Sequence, residues 1–267
     1  MKTDYGAAVS RGWKFARSVE RLFLLFIIYL ASALMVLVPI IFIYRNITLG
    51  TLLTGSSILS FLGLFVAIII VLLLLTFSSL MFIHNYANQR SLAKSAGFAK
   101  SRYFRFLAAM ILASLISMVI GLPFSLLDAA TRSVLASALN FIVSLLLTWV
   151  FFFVGQEIAV GGSRAVKSLS NSYSIFKRNW VQIAATWIIT TLLAFLIIIV
   201  FAVPLLVAVV MTVLTAIGTG QVVPAILANL PLFIATCLIL LVGVALAGLF
   251  TIGIATDVYM QIKRKRK

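Results

Sequence analysis

The sequence predicts an all-α, polytopic membrane protein with six transmembrane helices arranged as three repeated hairpins. Three observations lead to this fold class. The composition is 64% apolar and only 10% charged, and the mean hydropathy is +1.24. Six apolar runs are long enough to span a bilayer, and almost all basic residues lie in connections on one side. Soluble domains carry about 25% charged residues, so lipid must surround most of this chain.

The spans follow from length. A spanning helix needs about 20 apolar residues, because each residue rises about 1.5 Å through a hydrocarbon core of about 30 Å. Pro39, Pro123 and Pro204 lie near the outer ends of the odd-numbered runs, where each could kink its helix or end it. The runs of sufficient length are residues 22–44, 57–84, 106–127, 136–160, 181–212 and 230–257.

The orientation follows from the basic residues of the connections. Cytoplasmic connections carry an excess of lysine and arginine. Nineteen basic residues fall on the side that holds both termini, the 85–105 connection and the 163–180 connection, whereas the other side has only Arg45 and Arg132. We therefore expect a multi-pass protein of the cell membrane with its N- and C-termini in the cytoplasm. The net charge of +16 is explained by this topology and does not require nucleic acid.

An internal repeat of about 80 residues is predicted. The cytoplasmic segments 12–19, 97–104 and 175–182 each place an aromatic residue just before a basic one and then enter a span. The stretch "HNYANQRSLAKS" (84–95) aligns without a gap on "EIAVGGSRAVKS" (157–168). These similarities predict a single membrane domain over residues 1–267, built from parallel repeats 1–84, 85–160 and 161–267.

Basic amphipathic segments lead into the three hairpins. In the segment 163–180, Ala165, Leu169, Tyr173, Phe176 and Trp180 fall at helical spacing and predict one apolar stripe. This pattern is typical of a helix in the headgroup region, although ordinary aromatic-belt loops remain the alternative. The segments around Trp13 and over 92–106 have the same pattern. The residues predicted to bind anionic lipid are Arg11, Lys14, Arg17, Lys94, Lys100, Arg102, Arg164, Lys167, Lys177 and Arg178.

Three ionisable residues lie at the cytoplasmic ends of the even-numbered spans, namely His84, Glu157 and Asp257. Charged groups within a membrane are costly and are therefore candidates for a functional site. One interpretation is structural: the two acids form ion pairs with basic residues of the lead-in segments. The other places all three residues around a cytoplasm-facing vestibule that binds a cation or a lipid headgroup.

Enzymatic motifs are missing from the sequence. It has no glycine-rich phosphate loop, Ser-His-Asp set, paired catalytic carboxylates or cluster of metal ligands, and it has one cysteine and one histidine. We therefore predict no catalytic residue, metal or cofactor. The predicted partners are the lipid bilayer, anionic headgroups, and membrane-protein partners or further copies of this chain, without nucleic acid.

The stretch "QEIAVGGSRAVKSLSNSYSIFKRNWVQIAATWIITTLL" (156–193) resembles a group of prokaryotic six-helix membrane proteins. The group includes the membrane domain that precedes some glycerophosphodiester phosphodiesterases, and YciC-type inner-membrane proteins. The elements that carry the resemblance are Glu157 at a helix end, Gly161–Gly162, a short helix from Ala165 to Ser170, and Lys177 through Trp180. The resemblance implies the fold and no reaction, because most members of the group are uncharacterised. The phosphodiesterase domain is not in this sequence, so its activity is not implied either.

Three functions remain open, of which an intramembrane enzyme is the least favoured. The first is a non-enzymatic plasma-membrane protein that binds or organises lipids or partner proteins through a basic cytoplasmic face. The alternative is a transporter or channel for a small solute or ion, entered from a cytoplasmic vestibule.

Overall fold

The computed structural model describes residues 3–48 and 55–264, and it is helical almost throughout this part of the chain. Six of its helices are long and apolar enough to cross a membrane. The nine helices of the described residues are α1 (Tyr5–Ala16), α2 (Val19–Thr48), α3 (Gly55–Asn88), α4 (Leu92–Thr131), α5 (Val134–Val150), α6 (Val154–Ala159), α7 (Ala165–Thr219), α8 (Val222–Ala228) and α9 (Leu230–Arg264). The predicted multi-pass membrane fold is thus confirmed at the level of its six apolar helices.

The helices are longer than the apolar runs because the lead-in segments are helical too. Helix α4 continues without a break from its lead-in into its span, and α7 does so with one kink at Asn179, whose φ and ψ are −137° and 34°. The first lead-in is the separate helix α1, and two residues lie between its end and the start of α2. Pro39, Pro123 and Pro204 each lie inside a helix and do not end it. Lys2 and the basic residues 265–267 lie outside the described residues.

The predicted apolar stripe of the segment 163–180 does not form a single surface. Leu169 is buried, whereas Tyr173 and Trp180 are exposed. The inward face of this helix carries Ser168 and Ser172 instead, which are both fully enclosed. Small hydroxyl side chains allow close approach of neighbouring backbones, which explains why Ser168 and Ser172, outside the predicted stripe, are buried.

The described chain forms two compact units, whose boundaries fall near Trp13 and within α3, α7 and α9. One unit comprises residues up to Trp13, Thr76–Thr191 and the chain from Ile252 onward. Its fully buried side chains include Phe82, Phe153 and Tyr259. This unit contains most of the lead-in segments and all three ionisable residues at the span ends.

The other unit comprises Lys14–Leu75 and Leu192–Thr251. Its helices present large apolar side chains outward, as Phe65 and Val200 show. In lipid, such side chains need not be buried, and close helix contact depends on small residues. Gly243 of α9 provides one contact, because an added Cβ would overlap the Cβ and Cγ of Phe201 on α7.

We predict that Gly243→Ala lowers the free energy of unfolding by about 1–3 kcal/mol, since α7 and α9 must separate to admit the methyl group. The measurement is unfolding of the purified protein in detergent, followed by circular dichroism. Gly97→Ala is the matched control: no atom lies within 4 Å of its Cβ position, so the change stabilises the helix by up to about 1 kcal/mol. Equal stabilities of the two variants would contradict the tight α7–α9 contact.

Candidate functional site

The last turns of α9 carry two groups of polar side chains on opposite faces. Asp257 and Gln261 are four residues apart and share one face, and Tyr259 and Lys263 share another. Residues two apart on a helix point about 200° away from each other, which separates the two groups. Each group surrounds one buried carboxylate. We call them the Asp257 cluster (Asp257, Arg11, Tyr86, Gln261) and the Glu157 cluster (Glu157, Ser163, Asn171, Tyr259, Lys263).

In the Glu157 cluster, the carboxylate is 2% exposed and accepts three hydrogen bonds. Tyr259 donates to Oε1 at 2.7 Å, and Ser163 and Asn171 donate to Oε2 at 3.0 and 2.9 Å. The Lys263 ammonium is 3.8 Å from Oε1 but donates to the Tyr259 hydroxyl at 2.8 Å. The tyrosine hydroxyl therefore connects the cation to the carboxylate, and its own polarity strengthens both bonds.

Two glycines allow the chain to turn around this carboxylate. A Cβ on Gly161 would lie 2.5 Å from the carbonyl oxygen of Glu157 and 2.8 Å from both Glu157 Oε2 and Lys263 Nζ. Gly162 has φ of +70°, which side-chain-bearing residues rarely adopt. The turn then places Ser163 and the start of α7 against Glu157. Glycine is thus required at position 161 because a Cβ would clash with its neighbours, and it is favoured at position 162 because φ is positive there.

A break between α5 and α6 lies beside this turn. Phe151, Phe152 and Phe153 form a turn that interrupts the fourth predicted span. The Ser172 hydroxyl of α7 donates to the Val150 carbonyl at 2.7 Å, so one backbone acceptor released by the break is satisfied by the lead-in helix. Irregular backbone at membrane depth is tolerated where protein covers it, as here.

In the Asp257 cluster, the carboxylate is 5% exposed and all of its acceptor positions are used. Arg11 binds it with two bonds, Nε to Oδ1 at 2.9 Å and Nη2 to Oδ2 at 2.7 Å. Tyr86 donates to Oδ1 at 3.1 Å, and Gln261 donates to Oδ2 at 2.8 Å. These hydrogen bonds to Asp257 raise the pKa of Arg11 above its ordinary value, more than its partial burial lowers it.

The N-terminal helix is held by further bonds to the end of α9. Gln261 exchanges two hydrogen bonds with the backbone of Asp4, at 2.9 and 3.1 Å. The Tyr5 hydroxyl donates to the Gln182 carbonyl of α7 at 3.3 Å. The helix α1 is thereby fastened to both α7 and α9 within its unit.

The structure places His84 apart from both clusters. Its ring stacks on Phe98 with centroids 3.8 Å apart, and its Nδ1 lies 3.4 Å from the Ser95 hydroxyl. No hydrogen bond or ion pair connects it to Glu157 or Asp257 among the residues that the structure describes. Glu157 and Asp257 thus form their contacts at the end of α9, whereas His84 contacts the start of α4.

The partners of the acids were only partly accessible to sequence reasoning. Arg11 was predicted to bind lipid but forms the ion pair with Asp257, which fits the structural interpretation of that acid. The sequence pattern does not indicate Tyr86 or Tyr259 as a partner of an acid, although Tyr259 precedes Lys263 by one helical turn. Over residues 3–48 and 55–264, no three His, Cys, Asp or Glu side chains converge on a possible metal position.

We predict that Glu157→Gln destabilises the protein far more than Lys263→Gln. The first change places an amide group opposite three donors, which lowers the free energy of unfolding by about 3 kcal/mol at this buried position. The second removes a partly exposed ammonium group, which contributes about 1 kcal/mol or less to that free energy. Unfolding in detergent measures both. Losses of similar size would mean that the ion pair, and not the hydrogen-bond network, stabilises the turn.

The Arg11–Asp257 pair is predicted to show strong coupling in a double-mutant cycle. Arg11→Gln and Asp257→Asn each remove a bidentate charged contact, so the double variant should be more stable than the sum of the two changes implies, by about 2 kcal/mol. The control cycle combines Arg17→Gln with Asp257→Asn, because Arg17 is exposed and makes no bond to this acid. Coupling of equal size in the two cycles would contradict the observed pairing.

The chain matches a known family over residues 129–262, which form a domain of unknown function, DUF7847. The match contains most of the Glu157 cluster together with Asp257, and it leaves out Arg11 and Tyr86. No curated protein and no solved structure matches this chain. Because the matched residues make up just over half of its length, the protein belongs to the DUF7847 family.

Proposed function

We propose that this protein is an integral protein of the plasma membrane that binds or organises anionic lipids, or partner proteins with acidic surfaces, through a basic cytoplasmic face. It catalyses no reaction in this role. Both termini lie in the cytoplasm, and three similarly oriented hairpins, formed by residues 1–84, 85–160 and 161–267, each begin with a basic lead-in segment. The one-sided distribution of basic residues supports the orientation.

The observation that carries this proposal is that nine of the ten cations predicted to bind anionic lipid form no ion pair among the described residues. The two ion pairs among the described residues use Arg11 and Lys263. The other predicted lipid-binding residues form none, and all except Arg102 are exposed. They are Lys14, Arg17, Lys94, Lys100, Arg102, Arg164, Lys167, Lys177 and Arg178. Charges of one sign without internal partners attract an anionic surface, at about 1 kcal/mol for each residue near it.

Exposed aromatic side chains accompany these cations. Val166 and Tyr173 are seven residues apart and lie on one face of α7, and Trp180 follows directly after the kink at Asn179. They are 70%, 54% and 56% exposed, respectively. Tyrosine and tryptophan favour the membrane–water interface because their rings are apolar and their tips form hydrogen bonds. Lys177 and Arg178 lie next to Trp180 in the same helix, so a headgroup bound there would be close to the indole.

The test uses this indole as the reporter. Trp13, Trp149 and Trp187 are replaced by phenylalanine, and the protein is reconstituted in phosphatidylcholine with increasing fractions of brominated phosphatidylglycerol, which quenches nearby tryptophan. We predict stronger quenching than by brominated phosphatidylcholine. Lys177→Gln with Arg178→Gln should reduce this preference by ~2 kcal/mol, or roughly thirtyfold, and high salt should reduce it as well.

The matched control exchanges the two basic residues, Lys177→Arg with Arg178→Lys, and it should keep the preference because the charge is unchanged. Equal quenching by the two lipids, or a preference that survives removal of both charges, would refute anionic-lipid binding at this helix. Protein-dependent uptake of a small solute into liposomes that is lost in a folded Glu157 variant would favour the transporter.

A further inference from the structure

The three ionisable residues at the span ends each contact a lead-in helix at the same position. The contacts, each given as the span-end residue and its partner, are His84–Phe98, Glu157–Asn171 and Asp257–Arg11. The partners are the seventh residues of α4, α7 and α1, respectively. The helices α4 and α7 directly follow their span ends along the chain, whereas Arg11 is 246 residues from Asp257. The three contacts therefore share a position in the lead-in helix and not a distance along the chain.

The three lead-in helices are also buried at equivalent positions. Their fourth and eighth residues are small and are buried in every case. The fourth residues are Ala8, Ser95 and Ser168, and the eighth residues are Gly12, Ala99 and Ser172. Small residues let helix backbones approach closely, and a Cβ on Gly253 of α9 would lie only 2.9 Å from the Cα of Gly12. The helix α1 thus packs in the register of α4 and α7.

Tyrosines connect the span ends to one another. Tyr86, two residues after His84, donates to Asp257 Oδ1 at 3.1 Å. Tyr259, two residues after Asp257, donates to Glu157 Oε1 at 2.7 Å. The end of α3 is therefore bonded to the end of α9, and the end of α9 to α6, by the same kind of hydrogen bond from the same relative position.

The third connection, from α6 back to α3, is apolar. Ala159 has the position after Glu157 that the tyrosines have at the other two span ends. A Cβ on Gly155 of α6 would lie 3.1 Å from Ile83 Cδ1 and 3.2 Å from Phe106 Cε2, so α6 packs against α3 and α4. The three span ends thus form a closed ring with two tyrosine hydrogen bonds and one apolar contact.

We propose that α1 is a detachable strap that closes this ring of three hairpins. Each lead-in helix docks on the end of the preceding hairpin, α4 on α3 and α7 on α6. The helix α1 has no preceding hairpin in this sequence and docks on the end of the last one, α9. Seven residues join His84 to the start of α4 and Glu157 to the start of α7, whereas α1 is held on α9 by non-covalent contacts.

The polar contacts of the strap lie near water. The Arg11 side chain is 53% exposed, although that of Asp257 is only 6% exposed. Both hydrogen bonds between Gln261 and the backbone of Asp4 are exposed as well. Exposed ion pairs contribute little to stability because water competes for both partners. The strap can therefore leave α9 while it remains joined to α2, and this motion does not depend on lipid binding by the lead-in cations.

Hydrogen–deuterium exchange of the full chain in detergent tests the strap. Arg11→Gln removes the bidentate bond to Asp257 and should raise the exchange rate of the amides of residues 5–13 by about tenfold or more. Exchange in the lead-in residues 92–103 and 165–176 should change by about twofold at most, because neither helix contacts Arg11 through a hydrogen bond or ion pair within the described residues. No rise in α1, or a rise of the same size in all three helices, would overturn the strap.

The matched variant is Asn171→Ala, which removes the equivalent contact of α7. Exchange in residues 165–176 should rise by about threefold at most, since one neutral hydrogen-bond partner is lost and the turn of residues 158–164 still holds α7 beside α6. A rise as large as that of α1 in Arg11→Gln would mean that the covalent turn makes no difference, and it would contradict a strap confined to α1.

A second experiment tests whether position 11 corresponds to position 171. Asp257→Glu with Arg11→Asn installs the acid and the amide of the Glu157 cluster at the end of α9. Exchange in residues 5–13 should be slower, by about threefold or more, than in Asp257→Glu with Arg11→Ala, which offers no amide. The reciprocal comparison at α7, Glu157→Asp with either Asn171→Arg or Asn171→Ala, removes the dependence on one variant folding. Equal exchange within both pairs of variants would contradict the equivalence of the two positions.

Discussion

The unit that comprises residues up to Trp13, Thr76–Thr191 and the chain from Ile252 onward depends on two buried carboxylates at the end of α9. Glu157 joins the turn after α6 and the start of α7 to Tyr259, and Asp257 joins α1 and the end of α3 to the same helix. Because apolar packing gives little preference between helices and lipid, such polar contacts decide which helices stay together. Helix α9 thus contacts four other segments of the chain through Glu157 and Asp257.

These contacts also determine the electrostatics of the protein. The sequence has five acidic residues against 21 basic ones, and two of the acids are enclosed in the clusters. Each of the two has one cationic partner, Arg11 for Asp257 and Lys263 for Glu157. The other nine cations predicted to bind anionic lipid form no ion pair among the described residues.

Hydroxyl side chains serve two different purposes in this structure. Ser172 and Ser163 complete hydrogen bonds that the helix break and the turn would otherwise leave open. Ser114, Ser117 and Ser144, which line a groove between α4 and α5, form no hydrogen bond within the described residues, and Ser114 and Ser144 are exposed. The difference follows from their surroundings: the first two are buried beside irregular backbone, whereas the groove serines lie on regular helices whose backbone bonds are already made. Residue type alone does not distinguish the two.

The sequence by itself determined the membrane class, the six apolar helices and the positions of the acids at the helix ends. Hydrocarbon acts on each segment separately, so length and hydropathy are sufficient to find a span. Only the tertiary structure decided that Asp257 pairs with Arg11, 246 residues away, and that Tyr259 lies between Lys263 and Glu157. The structure also decided where the helices are interrupted. Pro39, Pro123 and Pro204 lie within helices, whereas the breaks occur at Phe151–Phe153 and Asn179. Partners across helices depend on which faces meet, and in an almost uniformly apolar sequence the local pattern carries little information about that choice.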